Sequence, residues 1–187
     1  MENHDPEFLR QVYVSVWRDR PEAEDLIEKA PLDHVYDNGR QLLHVACWFN
    51  RGALASKLLS KKAPVLSEDN FGKTPLALAI ENESFSAFKA VLLASPESLF
   101  YLSQSDSKKD ANKFNPLRLI AEKGLLDFWL FAWAQVVKNE TAKNEPVVPT
   151  DEQKKLTDEV LQIVRPRLKK PSKWTSAVPK SYVISQK

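Results

Sequence analysis

Cysteine is almost missing from this chain. Cys47 is the only one, so no disulfide can close within the molecule, and a reducing compartment suits it. Glycine is nearly as scarce, with four residues at 39, 52, 72 and 124, which is too few and too scattered for a phosphate-cradling loop. The soft metal ligands are His4, His34, His44 and Cys47, and only the last two share a predicted helix, so no metal site is expected. No carboxylate pair stands out for acid–base work. The most apolar run, residues 125–137, contains Asp127 and Gln135 and is too short to span a bilayer. Residues 1–7 are acidic without an apolar stretch, so no secretory leader is expected either. A net charge of +2 exerts no global pull on nucleic acid, which makes any electrostatic argument local. These shortages point to a non-catalytic protein of cytoplasmic type, with no cofactor and no small-molecule substrate.

What is present is a repeat. Apolar residues make up 43% of the 187 and charged ones 28%, enough for a core of useful size. The stretch Asp37-Asn38-Gly39-Arg40-Gln41-Leu42-Leu43-His44-Val45-Ala46 is answered by Asn70-Phe71-Gly72-Lys73-Thr74-Pro75-Leu76-Ala77-Leu78-Ala79. Gly39 to Gly72, Leu43 to Leu76 and Ala46 to Ala79 are each 33 residues apart. Each copy opens on a turn, since Asp and Asn initiate reversals and Gly accepts positive φ. Helices are expected at 42–49 and 53–60, then one with Thr74 as cap, Pro75 in the first position and Leu76, Leu78, Ala79 and Ile80 as its inner face, and another at about 85–93. A third copy, Asn115-Pro116-Leu117-Arg118-Leu119-Ile120-Ala121, begins 41 residues after Thr74, so the finger before it is enlarged by 8 residues. That insertion, at 95–113, is either part of a binding face or a tolerated surface loop.

The flanks differ from the repeats. Asp5-Pro6-Glu7 starts a helix whose stripe is Phe8, Leu9, Val12, Tyr13, Val16 and Trp17, and a second helix carries Ala23, Leu26, Ile27 and Ala30. Both are expected to run about three turns as an αα-hairpin that caps the stack at residues 1–36. Its surplus of aromatics is either cap core or a docking face. Residues 125–133 are apolar on every side of a helix, so something must cover them. The expected cover is a following helix opened by the capping box Thr150-Asp151-Glu152-Gln153 and ended by Pro166, lying on Phe128 and Trp129 or on Phe131 and Trp133. The organisation expected is therefore a cap at 1–36, repeats at 37–140, and a linker, capping helix and basic tail at 141–187. Residues 165–187 hold seven bases (Arg165, Arg167, Lys169, Lys170, Lys173, Lys180 and Lys187) and no acid. This tail is either an arm along the domain or a segment that orders on a partner.

On Leu42-Leu43-His44 with Ala46, Thr74-Pro75-Leu76 with Ala79, and Asn115-Pro116-Leu117 with Ala121 and Gly124, the chain resembles the ankyrin-repeat family over roughly residues 37–138. It departs from the family where Gln41-Leu42 replaces the opening Thr-Pro, and where Asn50 and Glu83 replace the mid-repeat glycine. The resemblance implies an all-α solenoid of stacked helix-turn-helix repeats that binds a protein partner without catalysis. It implies His44 in inter-repeat hydrogen bonding and Cys47 at a packing position, where a buried thiol is inert. It places a partner surface on the finger tips Asn38, Arg40, Asn70, Phe71 and Lys73. On the inner helices it adds Trp48, Phe49, Arg51, Glu81, Asn82, Glu122 and Lys123.

Trp48 beside Arg51 has the composition of a binding hot spot; the alternative is that Trp48 packs on the N-terminal cap. Small divergent stacks also look like effectors delivered into host cells, besides adaptors and inhibitors. The competing functional class is an electrostatic tether, in which Arg165, Arg167, Lys169, Lys170 and Lys173 grip nucleic acid or an anionic membrane, with Trp174 and Tyr182 available for stacking.

Overall fold

The computed structural model describes residues 5–101, 115–142, 149–167 and 176–182, with backbone alone at 139–142, 163–167 and 182. Among them every regular element is helical. The helices are α1 (Pro6–Arg18), α2 (Ala23–Lys29), α3 (Leu42–Trp48), α4 (Gly52–Ser60), α5 (Pro75–Glu81), α6 (Phe85–Ala94), α7 (Pro116–Lys123), α8 (Leu126–Ala142) and α9 (Asp151–Arg167). They form two rows. In the inner row α1, α3, α5, α7 and α9 each pack on the next, and in the outer row α2, α4, α6 and α8 do the same. This is the stacked solenoid expected from the 33-residue period. Short 3-10 helices stand at Asp37–Gly39, Pro96–Phe100 and Lys180–Tyr182.

Local chemistry accounts for the helix starts. Asp5 accepts the Glu7 amide at 3.2 Å with Pro6 in the first turn, and Thr74 Oγ1 accepts the Ala77 amide at 3.3 Å ahead of Pro75. Asn115 Oδ1 accepts from Arg118 N at 3.0 Å, while its Nδ2 donates to Tyr101 O at 3.1 Å. The box at α9 is reciprocal: Gln153 N donates to Thr150 Oγ1 at 3.2 Å and Thr150 N to Gln153 Oε1 at 3.0 Å. Gln41, which stands where the family has threonine, solves the problem differently. The His44 ring takes its amide at 3.1 Å, and its side chain ties Asp33 O to the Ser67 hydroxyl.

The turns that lost glycine keep glycine's geometry. Asp19, Asn50 and Glu83 end the inner helices at φ 56°, 55° and 54°, matching Gly124 at 70°. Each non-glycine residue reaches into the next repeat. Asp19 meets Arg51 at 3.6 Å, and Glu83 meets Lys123 at 3.5 Å. Asn50 Oδ1 accepts from Ser86 Oγ at 2.6 Å and from the Ser86 amide at 3.1 Å, in the open first turn of α6.

Three expectations need correction. Helix α2 has 7 residues rather than three turns, because residues 19–22 make the reversal and Pro31 closes the far end. Helix α9 packs chiefly on α7, extending the inner row, and not across the α8 aromatics. Those aromatics are covered from the preceding repeat instead: Phe128 lies 4.9 Å from Phe85 and 4.6 Å from Phe88 between ring centroids, and Phe100 of the inserted 3-10 helix meets Trp133 at 6.0 Å. Finally, α9 runs through Pro166 to Arg167. Proline removes only the one amide that would reach Gln162 O, and this loss falls in the last turn of the helix.

Candidate functional site

The second finger is seated on the first through its backbone. Asn70 N donates to Asn38 O at 2.9 Å, and a Cβ on Gly39 (φ 74°) would stand 2.3 Å from Asn70 Oδ1. Below the tips lies His44, fully buried, its Nε2 3.1 Å from Ser67 O and 3.2 Å from Lys73 O. With Nδ1 accepting and Nε2–H donating, this ring is neutral, and burial lowers its pKa to about 4 despite the nearby Asp69. Burial also pushes the Cys47 thiol up, as befits an inert packing residue.

The predicted surface residues are then drawn into pairs. Arg40 lays its guanidinium 4.2 Å from the centre of the Trp48 ring and reaches Asp69, whose side chain is 0% exposed, at 3.3 Å. One repeat later the same two positions hold Lys73 and Glu81, and they form an ion pair at 2.8 Å. A cation at the finger base thus covers the end of the inner helix in both repeats, on an aromatic in one and on a carboxylate in the other. Glu122 pairs with Arg118 at 2.8 Å, and Lys123 with Glu83. Asn82 is exposed, its Nδ2 donating to Leu78 O at 2.9 Å. Asn38 and Asn70 are exposed at the tips, and Phe71 beside them is the most open large apolar residue of the finger at 63%.

Arg51 and Phe49 do not join Trp48. Arg51 donates to Trp17 O from Nε at 3.2 Å and from Nη2 at 3.0 Å, and its ion pair with Asp19 completes the joint. Phe49 meets the Trp17 ring at 5.9 Å. The packing on the N-terminal hairpin that was the alternative for Trp48 is thus supplied by its two neighbours, while Trp48 itself is half-buried under Arg40. The sequence carried a signal for this: Arg40 and Trp48 are eight residues apart, as are Lys73 and Glu81, but spacing could not say which cation lies on the indole.

In the basic tail, Arg165 and Arg167 occupy the last turn of α9, while Lys169, Lys170 and Lys173 lie outside the described residues, as does most of the enlarged finger at 102–113. Val178 is buried and the 3-10 helix Lys180–Tyr182 packs on α9. Among the described residues no helix is long and apolar enough to cross a membrane, and no group of three or more His, Cys, Asp or Glu side chains is placed to hold a metal.

No family model matches this sequence, and no curated protein matches it. Solved structures do resemble it. A chain of the Bdellovibrio bacteriovorus predatory endopeptidase Bd0816 in complex with the immunity protein Bd3460 superposes with a TM-score of 0.54 at 16% identity, over 82% of this chain and 77% of that one. The human ASB11 ankyrin repeat domain gives 0.51 at 16% identity, over 88% of this chain and 70% of that one. With the two helical rows, the seated fingers and the glycine-type turns, these likenesses show that the chain has the ankyrin-repeat fold in a divergent form.

Proposed function

We propose that this protein is a non-catalytic interaction module that holds a protein partner against its finger tips and the inner-helix surface. Two observations together carry the reading: Phe71 is 63% exposed on a finger hydrogen-bonded to the one before it, and Arg40 is stacked on the half-buried Trp48. Aromatic and arginine side chains on a preorganised backbone are what protein hot spots are made of. The charges around them are largely engaged within the chain, Arg40 with Asp69, Lys73 with Glu81, and Arg118 with Glu122. Recognition centred there is apolar and shape-driven, and the partner offers an apolar protrusion or groove. Asn38, Asn70 and Asn82 supply hydrogen bonds at the rim, and Glu122 and Lys123 extend the surface toward the third repeat. Adaptor, inhibitor and effector roles all use such a surface.

The decisive experiment is affinity capture with the full chain and with a Trp48→Ala/Phe71→Ala variant. The double variant is expected to lose its captured partner while keeping its melting temperature within a few degrees. Retention of the partner by that variant sinks the assignment. Arg51→Ala is the contrasting control: it loosens the N-terminal hairpin, with a loss of about 1–2 kcal/mol, and leaves capture intact.

A further inference from the structure

A groove of about 530 Å³ runs along the N-terminal edge of the stack, between one face of α1 (Pro6, Leu9, Arg10, Tyr13) and the first finger (His34, Val35, Tyr36, Asp37). It arises from a mismatch between repeats. Helix α1 has 13 residues where α3 and α5 have 7 each, and the additional turns lie at its N-terminal end. The second finger sits directly on the first, tip to tip. The first finger has instead an α-helix beside it, and a helix cannot fill the space a flat hairpin would.

The groove's lining is aromatic and its surroundings are acidic. Tyr36 lines it, 5.1 Å from Tyr13 and 4.5 Å from His34 between ring centroids. Val35 is 56% exposed at its edge. The Tyr36 hydroxyl is buried with no hydrogen-bond partner, and burial raises its pKa to about 12, so it stays neutral. Asp37 is exposed on one wall; on the other the single cation, Arg10, is already engaged by Glu7 at 3.7 Å. Exposed Asp5 and Asp33 adjoin the lining residues Pro6 and His34 in sequence, so that with Asp37 three exposed acids stand beside a lining whose one arginine is already engaged.

From this charge complementarity we infer that the groove receives an extended, lysine- or arginine-bearing peptide segment of a protein partner. Its apolar side chains lie on Leu9, Tyr13 and Val35, and its cations take the tyrosine faces and the Asp37 carboxylate. Such a site suits an alternating segment, because side chains of an extended strand point to opposite sides in turn. It is separate from the Trp48–Phe71 surface and stands or falls independently of it.

The test is an NMR titration of the full chain with the blocked peptide Lys-Val-Lys-Val-Lys and with its glutamine counterpart Gln-Val-Gln-Val-Gln. The lysine peptide is expected to shift the amides of residues 34–37 and of the first turns of α1, and added salt weakens it. Asp37→Asn, which keeps the turn chemistry, is expected to weaken binding about tenfold, and Arg10→Gln to tighten it, a gain that misfolding cannot imitate. Equal binding of the glutamine peptide, shifts confined to Trp48 and Phe71, or an unchanged affinity in Arg10→Gln would each overturn the inference. Concentration-dependent self-association abolished by Asp37→Asn would also overturn it, by assigning the groove to a second copy of this chain.

Discussion

The first and second repeats are joined by hydrogen bonds, and the second and third by aromatic rings. At the first joint His44, Gln41, Asn38 and Asn50 each place a polar group against the backbone or side chains of the following repeat. At the second, Phe85 and Phe88 meet Phe128 and Phe131, with Phe100 and Trp133 beside them. One architecture is thus assembled from two kinds of interaction with different tolerances. A hydrogen-bonded joint demands individual atoms and answers to pH. An aromatic joint demands volume and ignores pH. The regular spacing of 33 residues is kept at the first joint, where backbone atoms must line up, and lost at the second, where side chains fill whatever gap the insertion leaves.

The largest expected effect breaks the aromatic joint. Phe88→Ala, at a fully buried ring touching Phe85, Phe128 and Phe131, is expected to cost about 3–5 kcal/mol in chemical denaturation, with the loss unchanged from pH 5 to 8. A deficit under about 1 kcal/mol would mean that the joint repacks freely.

Next comes the pH response of the hydrogen-bonded joint. The His44 pKa lies below its unfolded value of 6.5, at about 4, so the unfolded chain takes up the proton first. The contribution is complete above pH 6.5 and is lost as pH falls toward 4, by about 3 kcal/mol across that window. Stability curves of the native protein against pH check this. Hydrogen exchange adds the location, since residues 67–73 should lose protection before the α6–α8 region does.

The smallest effect separates two turns of identical backbone shape. Asn50→Gly removes the acceptor that caps α6 and should lower stability by about 1 kcal/mol, whereas Glu83→Gly relieves a left-handed residue at the loss of one exposed ion pair and should be neutral or slightly stabilising. Equal outcomes for the two would show that the side chains at these turns are interchangeable.

Much of the architecture was legible from residues alone. Thr74-Pro75, Asn115-Pro116 and the box at Thr150 announce helix starts because capping depends on groups within three residues of one another. The 33-residue echo announces stacking because equivalent positions in a solenoid meet equivalent neighbours. Local turn chemistry at Asp37-Asn38-Gly39 was equally plain, with Asn38 at φ 62° and Gly39 at 74°.

Partner choice among distant side chains was not legible. Trp48 has Arg51 three residues away and Arg40 eight residues away, and the nearer one turns to Trp17 and Asp19 of another repeat. The cover of the α8 aromatics was sought in the segment that follows, yet it comes from α6 and the inserted 3-10 helix, while α9 continues the inner row on α7. The groove beside α1 depends on a helix being longer than its counterparts, which matters only once the rows are stacked. The sequence by itself determined the helices, their caps and their period, because those depend on chemistry within a few residues. Only the tertiary structure decided which cation lies on the indole, what shields the aromatic helix and where the surface stays open, because each depends on which of several chemically equal neighbours the stacking brings within reach.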